Sequence, residues 1–324
     1  MNFEKDLREQ ISKLLNKDKI TFNKEESTFE LLISYLNIIN RRISFIPRKV
    51  FISDNIQKII ENNKVDKKYI EILLKFKESF ENGIDMNGHL STAIYCSDMS
   101  IKDKKASNYR NSRDYLLDDW GIYHIHLSEK EAKNKKEMHC NRSEYLLFVK
   151  VINNEVYFID ILNHNEKNLF AKQELLETMD RNWHFILDGY MLTEVESISK
   201  LTDNEIDKTR RNGCLLAYKI NGKVYTCIGG GLTSAGTNIM HTNYADKILD
   251  DMNFIEEYFR DNYMSIKNEV EDITKVKCLN NNLEFKFFLE ARGYVVKEIN
   301  TGYASLYFYE GDYLKKQSGL IDNK

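Results

Sequence analysis

The sequence predicts an α+β protein. Apolar residues recur at helical spacing through most of the first ninety positions, strand-like alternation runs from Ile122 to Leu162, and hairpin signals return toward the C-terminus. With 324 residues, 42% hydrophobic and 12% aromatic, the chain can bury a full core, and the usual size prior gives roughly two domains. Turn signals and changes in pattern divide it into a helical region 1–88, a central α+β region 89–190 that carries the candidate chemistry, and a C-terminal α+β region 191–324.

The helical region rests on Leu7, Ile11, Leu14 and Leu15, then on Phe29, Leu32, Tyr35 and Leu36 behind the caps Ser27 and Thr28. Residues 43–53 are rich in strand formers but interrupted by Pro47, which suits an edge strand or an extended crossing. Asp54 caps a short helix, and a further helix spans Lys67 to Phe80. Two Asn-Gly turns, Asn82-Gly83 and Asn87-Gly88, close this region.

The central region opens with a basic stretch from Ser100 to Arg113, then a short helix over Asp114 to Asp119 that Gly121 ends. Ile122 to Leu127 alternates as a strand. Tyr145 to Ile152 and Glu155 to Leu162 flank Asn153-Asn154, so the three strands form an antiparallel meander. A helix follows from Lys172 to Arg181. Beyond it, Gly213 to Ile220 and Lys223 to Ile228 flank Asn221-Gly222 as a hairpin. Gly229 to Thr237 leads into a long acidic helix through Ala245, Ile248, Leu249, Met252, Ile255 and Phe259. The helix-then-hairpin theme then repeats, with a helix over Leu283 to Ala291 and strands over Tyr294 to Ile299 and Tyr303 to Tyr309.

Lys and Arg number 47 against 50 Asp and Glu, which argues against a globally basic nucleic-acid coat and leaves partners to local features. No window reaches the ~18 apolar residues of a membrane span and the first residues lack an apolar signal core, so the expectation is a cytoplasmic protein without a membrane partner. Five scattered cysteines, Cys96, Cys140, Cys214, Cys227 and Cys278, suit reduced and mostly buried thiols.

The candidate site centres on Asp118 to Leu127. Residues two apart in a strand share a face, so His124 and His126 point together while Tyr123, Ile125 and Leu127 point to the other side. Two imidazoles at fixed separation can divide general base and acid roles in attack of an RNA 2'-hydroxyl on the adjacent phosphate. Arg110, Arg113 and Arg142 are the candidates to hold that phosphate, because a guanidinium fork matches its oxygens. The alternative is that the histidines are polar surface residues of a half-exposed sheet. A metal would need a third ligand, for which Asp160, His139 and His164 stand at no diagnostic spacing, so no metal and no cofactor are expected.

The run Arg142 to Val149, the turn Asn153-Asn154 and the run Val156 to His164 resemble the paired C-terminal strands of RelE/ParE-type bacterial toxins. The resemblance covers Trp120 to Met179. It implies an RNA-cleaving enzyme in which Arg142 binds phosphate and His164 takes part in cleavage. The chain departs from that superfamily in its length, its net charge of -3 and its two-histidine strand.

A second candidate site is the loop Gly229 to Thr237, where Gly230, Thr233 and Ser234 could cradle an anion. It lacks both the Walker ending and the dinucleotide fingerprint, and a tight strand-to-helix connection is the plainer explanation of the glycines. Tyr303, Tyr307 and Tyr309 share a side and either stack bases or pack a terminal sheet. The functional expectation is therefore a ribonuclease of toxin or phage-defence type with His124, His126, Arg142 and His164 in its chemistry. Its alternative is a non-catalytic, antitoxin-like scaffold whose helices dock a protein partner.

Overall fold

The computed structural model describes residues 1–17, 22–90, 114–129, 143–195, 198–212, 214, 216–277 and 283–320. The chain forms two compact units. Leu36–His241 makes one, and Met1–Tyr35 together with Thr242–Lys324 makes the other. The divisions thus fall near residues 35 and 241 rather than at 88 and 190, and the second unit joins segments from both ends of the sequence.

The Leu36–His241 unit is built on a four-stranded sheet of β1 (Lys49–Ile52), β2 (Ile122–His126), β3 (Tyr145–Ile152) and β4 (Glu155–Asn163), in the order β1-β4-β3-β2. The meander β2-β3-β4 is antiparallel, as the alternation and the Asn153-Asn154 turn require; Asn153 takes φ +50. β1 adds in parallel at the edge beside β4, after the break at Pro47. Between Phe148↔Asp160 and Val149↔Phe158 the register slips, leaving Ile159 as the extra residue of a bulge.

Helices pack against both faces of this sheet. On one face, α3 (Asp54–Glu61) and α4 (Lys67–Glu81) supply Ile56, Leu73, Phe76 and Phe80, which meet Ile125, Leu147, Val149 and Phe158. The other face takes α5 (Tyr115–Trp120), α6 (Glu174–Trp183), α7 (Phe185–Asp188) and α8 (Asp203–Arg211), with a short hairpin of β5 (Tyr218–Ile220) and β6 (Lys223–Tyr225). Asn221 and Gly222 turn that hairpin at φ +49 and +83. Its strands are shorter than the sequence pattern suggested.

In the other unit, α1 (Phe3–Lys17) packs with β7 (Phe285–Glu290), β8 (Gly293–Glu298), β9 (Tyr303–Glu310) and β10 (Tyr313–Leu320), an antiparallel sheet in order β10-β9-β8-β7. α2 (Thr28–Asn40) and α9 (Ile239–Asp261) cross the division in sequence, and α10 (Tyr263–Thr274) lies within the unit. The expected helix over Leu283 to Ala291 is instead β7. Phe285 and Phe287 are buried while Lys286 between them is not, and this period of two lets β7 pair with β8, which a helix could not do. Tyr303 and Tyr307 are core residues of the same sheet, which leaves neither free to stack a base. α1 covers the outer edge of β7: Asp6 accepts from the Phe287 amide at 3.1 Å, and Gln10 both accepts from the Leu289 amide and donates to its carbonyl.

Candidate active site on the β2–β4 face

The site begins with the helix that delivers β2. Asp114 caps α5 by accepting from the Leu117 amide at 3.1 Å. The helix ends at Gly121, whose φ of +63 turns the chain directly into β2. A side chain at Gly121 would also run into the ammonium of Lys150. From this fixed start, β2 sends Ile122, His124 and His126 to the face of Leu146, Phe148 and Ile159, and Tyr123, Ile125 and Leu127 to the α3–α4 face.

The cross-strand register sets His126 opposite Leu146 and Leu146 opposite Leu162. His164 stands two residues beyond Leu162, and its amide extends the ladder by donating to the Glu144 carbonyl at 2.7 Å. It therefore joins the same face. The His126 and His164 rings stack with centroids 5.8 Å apart, and His124 meets His126 edge-on at 6.3 Å. The structure brings together the three histidines that the sequence singled out.

Their environments differ. His124 is buried, with Phe170 at 4.9 Å between ring centroids. Its Nδ1 lies 3.3 Å from Asp114 Oδ2, an ion-pair approach without the alignment of a hydrogen bond. His126 and His164 are half-buried. Asp114 and Phe170 were not recognised from the sequence as site residues. The sequence places Asp114 at the start of a short helix, but only the tertiary fold shows that its second oxygen reaches His124.

Two charged groups on the same sheet face lie in poor solvent. Lys150 is buried opposite Ile122 and donates to the Trp120 carbonyl at 3.2 Å. Burial pulls its ammonium down to about 8, with no carboxylate paired to it among the described residues. Asp160, opposite Phe148, is pushed up to about 6 by burial, against the hydrogen bonds it accepts from Asn55 and the Ile161 amide. Behind α5, Arg210 donates to Asp119 and Tyr218 bonds the same carboxylate oxygen. Burial disfavours the Arg210 charge, but Asp119 and Tyr218 outweigh it and raise the group.

No protein-family model, curated protein or solved structure matches this chain.

Arg110, Arg113, Arg142 and His139 lie outside the described residues. The glycine loop has a use that does not involve a ligand. The amides of Gly229, Gly230 and Gly231 donate to the carbonyls of Asp119, Cys227 and Asp118. Thr233 bonds Thr237 through both its hydroxyl and its amide, and Ser234 is exposed. The donors that would have cradled an anion at Gly230 and Thr233 are spent on the protein, so the loop serves as the strand-to-helix connection. A Cβ at Gly229 would fall 2.5 Å from the Leu117 carbonyl and 2.6 Å from the Gly121 amide, so the glycine there is required by the close approach of α5.

Among the described residues, no group of three or more His, Cys, Asp or Glu side chains is placed to hold a metal ion, and no helix is long and apolar enough to cross a membrane. Of the cysteines, Cys227 is buried and its thiol is pushed up to about 12 by burial. Cys214 is exposed; Cys96, Cys140 and Cys278 lie outside the described residues.

Proposed function

We propose that the chain cleaves RNA by metal-free acid/base chemistry on this histidine face. The observation that carries the reading is the convergence of His124, His126 and His164 from two non-adjacent strands, with a carboxylate at the most buried ring. A sheet has no packing need for three imidazoles side by side. One of the two half-exposed rings, His126 or His164, takes the proton of a ribose 2'-hydroxyl, whose oxygen attacks the adjacent phosphorus. The other gives a proton to the departing 5'-oxygen, leaving a 2',3'-cyclic phosphate. His124, beside Asp114, packs edge-on against His126 and holds that end of the group in place. Arg142, Arg110 and Arg113 are assigned to the phosphate charge.

The test is incubation of the full chain with total RNA and with DNA, with and without chelator. RNA cleavage that persists in chelator, and that falls about 10²–10⁴-fold in His126→Gln and in His164→Gln, is the expected outcome. No cleavage by the wild-type chain would refute the reading, and loss on chelation would replace it with a metal-dependent one.

A second reading, a protein-docking role for the helical region, is favoured by one observation. Phe45, Ile46 and Ile84 are 66%, 44% and 54% exposed, and the backbone of Ile46 and Pro47 lies against Gly83, next to Ile84, so exposed apolar residues come from both sides of this backbone contact. An inert wild-type chain that copurifies stoichiometrically with one protein, and loses it in Phe45→Ser, would favour this reading.

A further inference from the structure

Arg210 lies one layer behind the histidine face, almost fully buried, and no sequence pattern marks it. Its Nε donates to Asp119 Oδ2 at 2.5 Å and its Nη1 to the carbonyl oxygen of Phe170 at 2.6 Å. The guanidinium carbon stands 4.0 Å over the Trp120 ring. A guanidinium holds its donors in one rigid plane, so bonding two chain segments at once fixes one against the other. Those two segments are the ones that supply the neighbours of His124. α5 carries Asp119 near its end and has Asp114 as its cap, with the Asp114 carboxylate beside His124 Nδ1. The 3-10 turn Leu169–Ala171 carries Phe170, whose ring packs on the His124 ring.

We propose that Arg210 is a positioning residue for His124: by bonding Asp119 and the Phe170 carbonyl together, it holds the Asp114 carboxylate and the Phe170 ring against the imidazole. Its part in catalysis rests on the acid/base reading above, whereas its effect on the ring does not. Tyr218 also bonds Asp119, so α5 keeps one anchor to the hairpin without Arg210. The bond to Phe170 has no such substitute among the described residues, and it is what separates positioning from general support of the core. A lysine at 210 would keep a positive charge for Asp119 but is a point donor, unable to serve both acceptors in the plane that the guanidinium spans.

The experiment is long-range ¹H–¹⁵N spectroscopy of histidine rings in the full chain, with His124 assigned by the loss of its signals in His124→Gln. Two variants are compared with wild type. Arg210→Lys keeps the charge, and the double variant Asp119→Asn/Arg210→Met removes both charges so that neither is left buried alone. Thermal melting of each is followed by tryptophan fluorescence.

At least one variant is expected to stay folded with displaced His124 ring-nitrogen shifts while His89 and His184 keep theirs, and with an about tenfold lower kcat on RNA at unchanged KM. Unchanged His124 shifts in every variant that stays folded overturn the proposal. So does failure of both variants to fold, because Arg210 would then support the core with no separable effect on His124. If His124 responds as expected but the wild-type chain does not cleave RNA, Arg210 positions the ring and it is the acid/base reading that falls.

Discussion

Replacing Lys150 with methionine should stabilise the Leu36–His241 unit at neutral pH. The ammonium is buried and is lowered from 10.5 to about 8 by burial alone. At 1.36 kcal/mol per decade, that difference corresponds to about 3 kcal/mol of cost for keeping the charge inside. Removing the donor to the Trp120 carbonyl gives back about 1 kcal/mol, which leaves about 2 kcal/mol in favour of the variant. Methionine follows a similar path past Gly121 and fills the same space with apolar atoms.

The sign has a pH signature. A lysine lowered on folding binds fewer protons in the native state than in the unfolded state between about 8 and 10.5, so the wild-type chain gains stability with rising pH across that window. The advantage of Lys150→Met should therefore be constant below pH 8 and fade toward pH 10.5. Both tryptophans, Trp120 and Trp183, lie in the Leu36–His241 unit, so a fluorescence melt reports on it selectively. The melting temperature should rise by about 4–8 °C at pH 7. A lower melting temperature at pH 7, or a gap that stays constant to pH 10.5, would refute the reasoning.

Two further outcomes use the same fluorescence melt. Gly229→Ala should destabilise the unit by about 1–3 kcal/mol, because the new methyl meets backbone atoms of Leu117, Asp118 and Gly121 that cannot rotate away; a wild-type melting temperature would show that α5 can yield. Asp160 is raised from 3.8 to about 6, so the native state binds the extra proton in that window and stability contributed at low pH is lost as pH rises through it. Asp160→Asn should flatten this decline between about pH 4 and 6, and parallel curves for the two proteins would count against the buried carboxylate as its cause.

The central meander was legible because its signals are local. Alternation placed His124 and His126 on one face, Asn153 marked the hairpin, and counting two residues on from Leu162 reached His164. What was not legible depends on segments distant in sequence. β1 pairs with β4 across about a hundred residues, and nothing in its four residues names that partner. Arg210 reads as one of several basic residues at the end of a polar helix; only the fold shows that it turns inward to Asp119 and Phe170. Lys150 interrupts an apolar strand as a surface residue would, yet Trp120 and Gly121 cover it. The glycines of 229–231 announced unusual backbone angles, and Gly230 and Gly231 do take φ +99 and +78. The sequence could not say that the close neighbour was a helix end and not an anion. Phe285 and Phe287 were misread as helical because a short apolar run fits both periods until its pairing partner is known.

The cover that α1 provides for β7 sets an order in time. Residues 3–17 leave the ribosome before the sheet edge they cap, which lies near residue 290. At about 5–20 residues per second, the helix waits on the order of tens of seconds for its partner. Throughout that interval Phe3, Leu7, Ile11 and Leu15, all buried at the end, have no sheet to pack on. The Leu36–His241 segment is complete in the meantime and can fold first. A helix made long before its partner strand is thus among the last elements to be buried, so a pause in synthesis before β7 would leave an apolar helix exposed to chaperones or to other nascent chains.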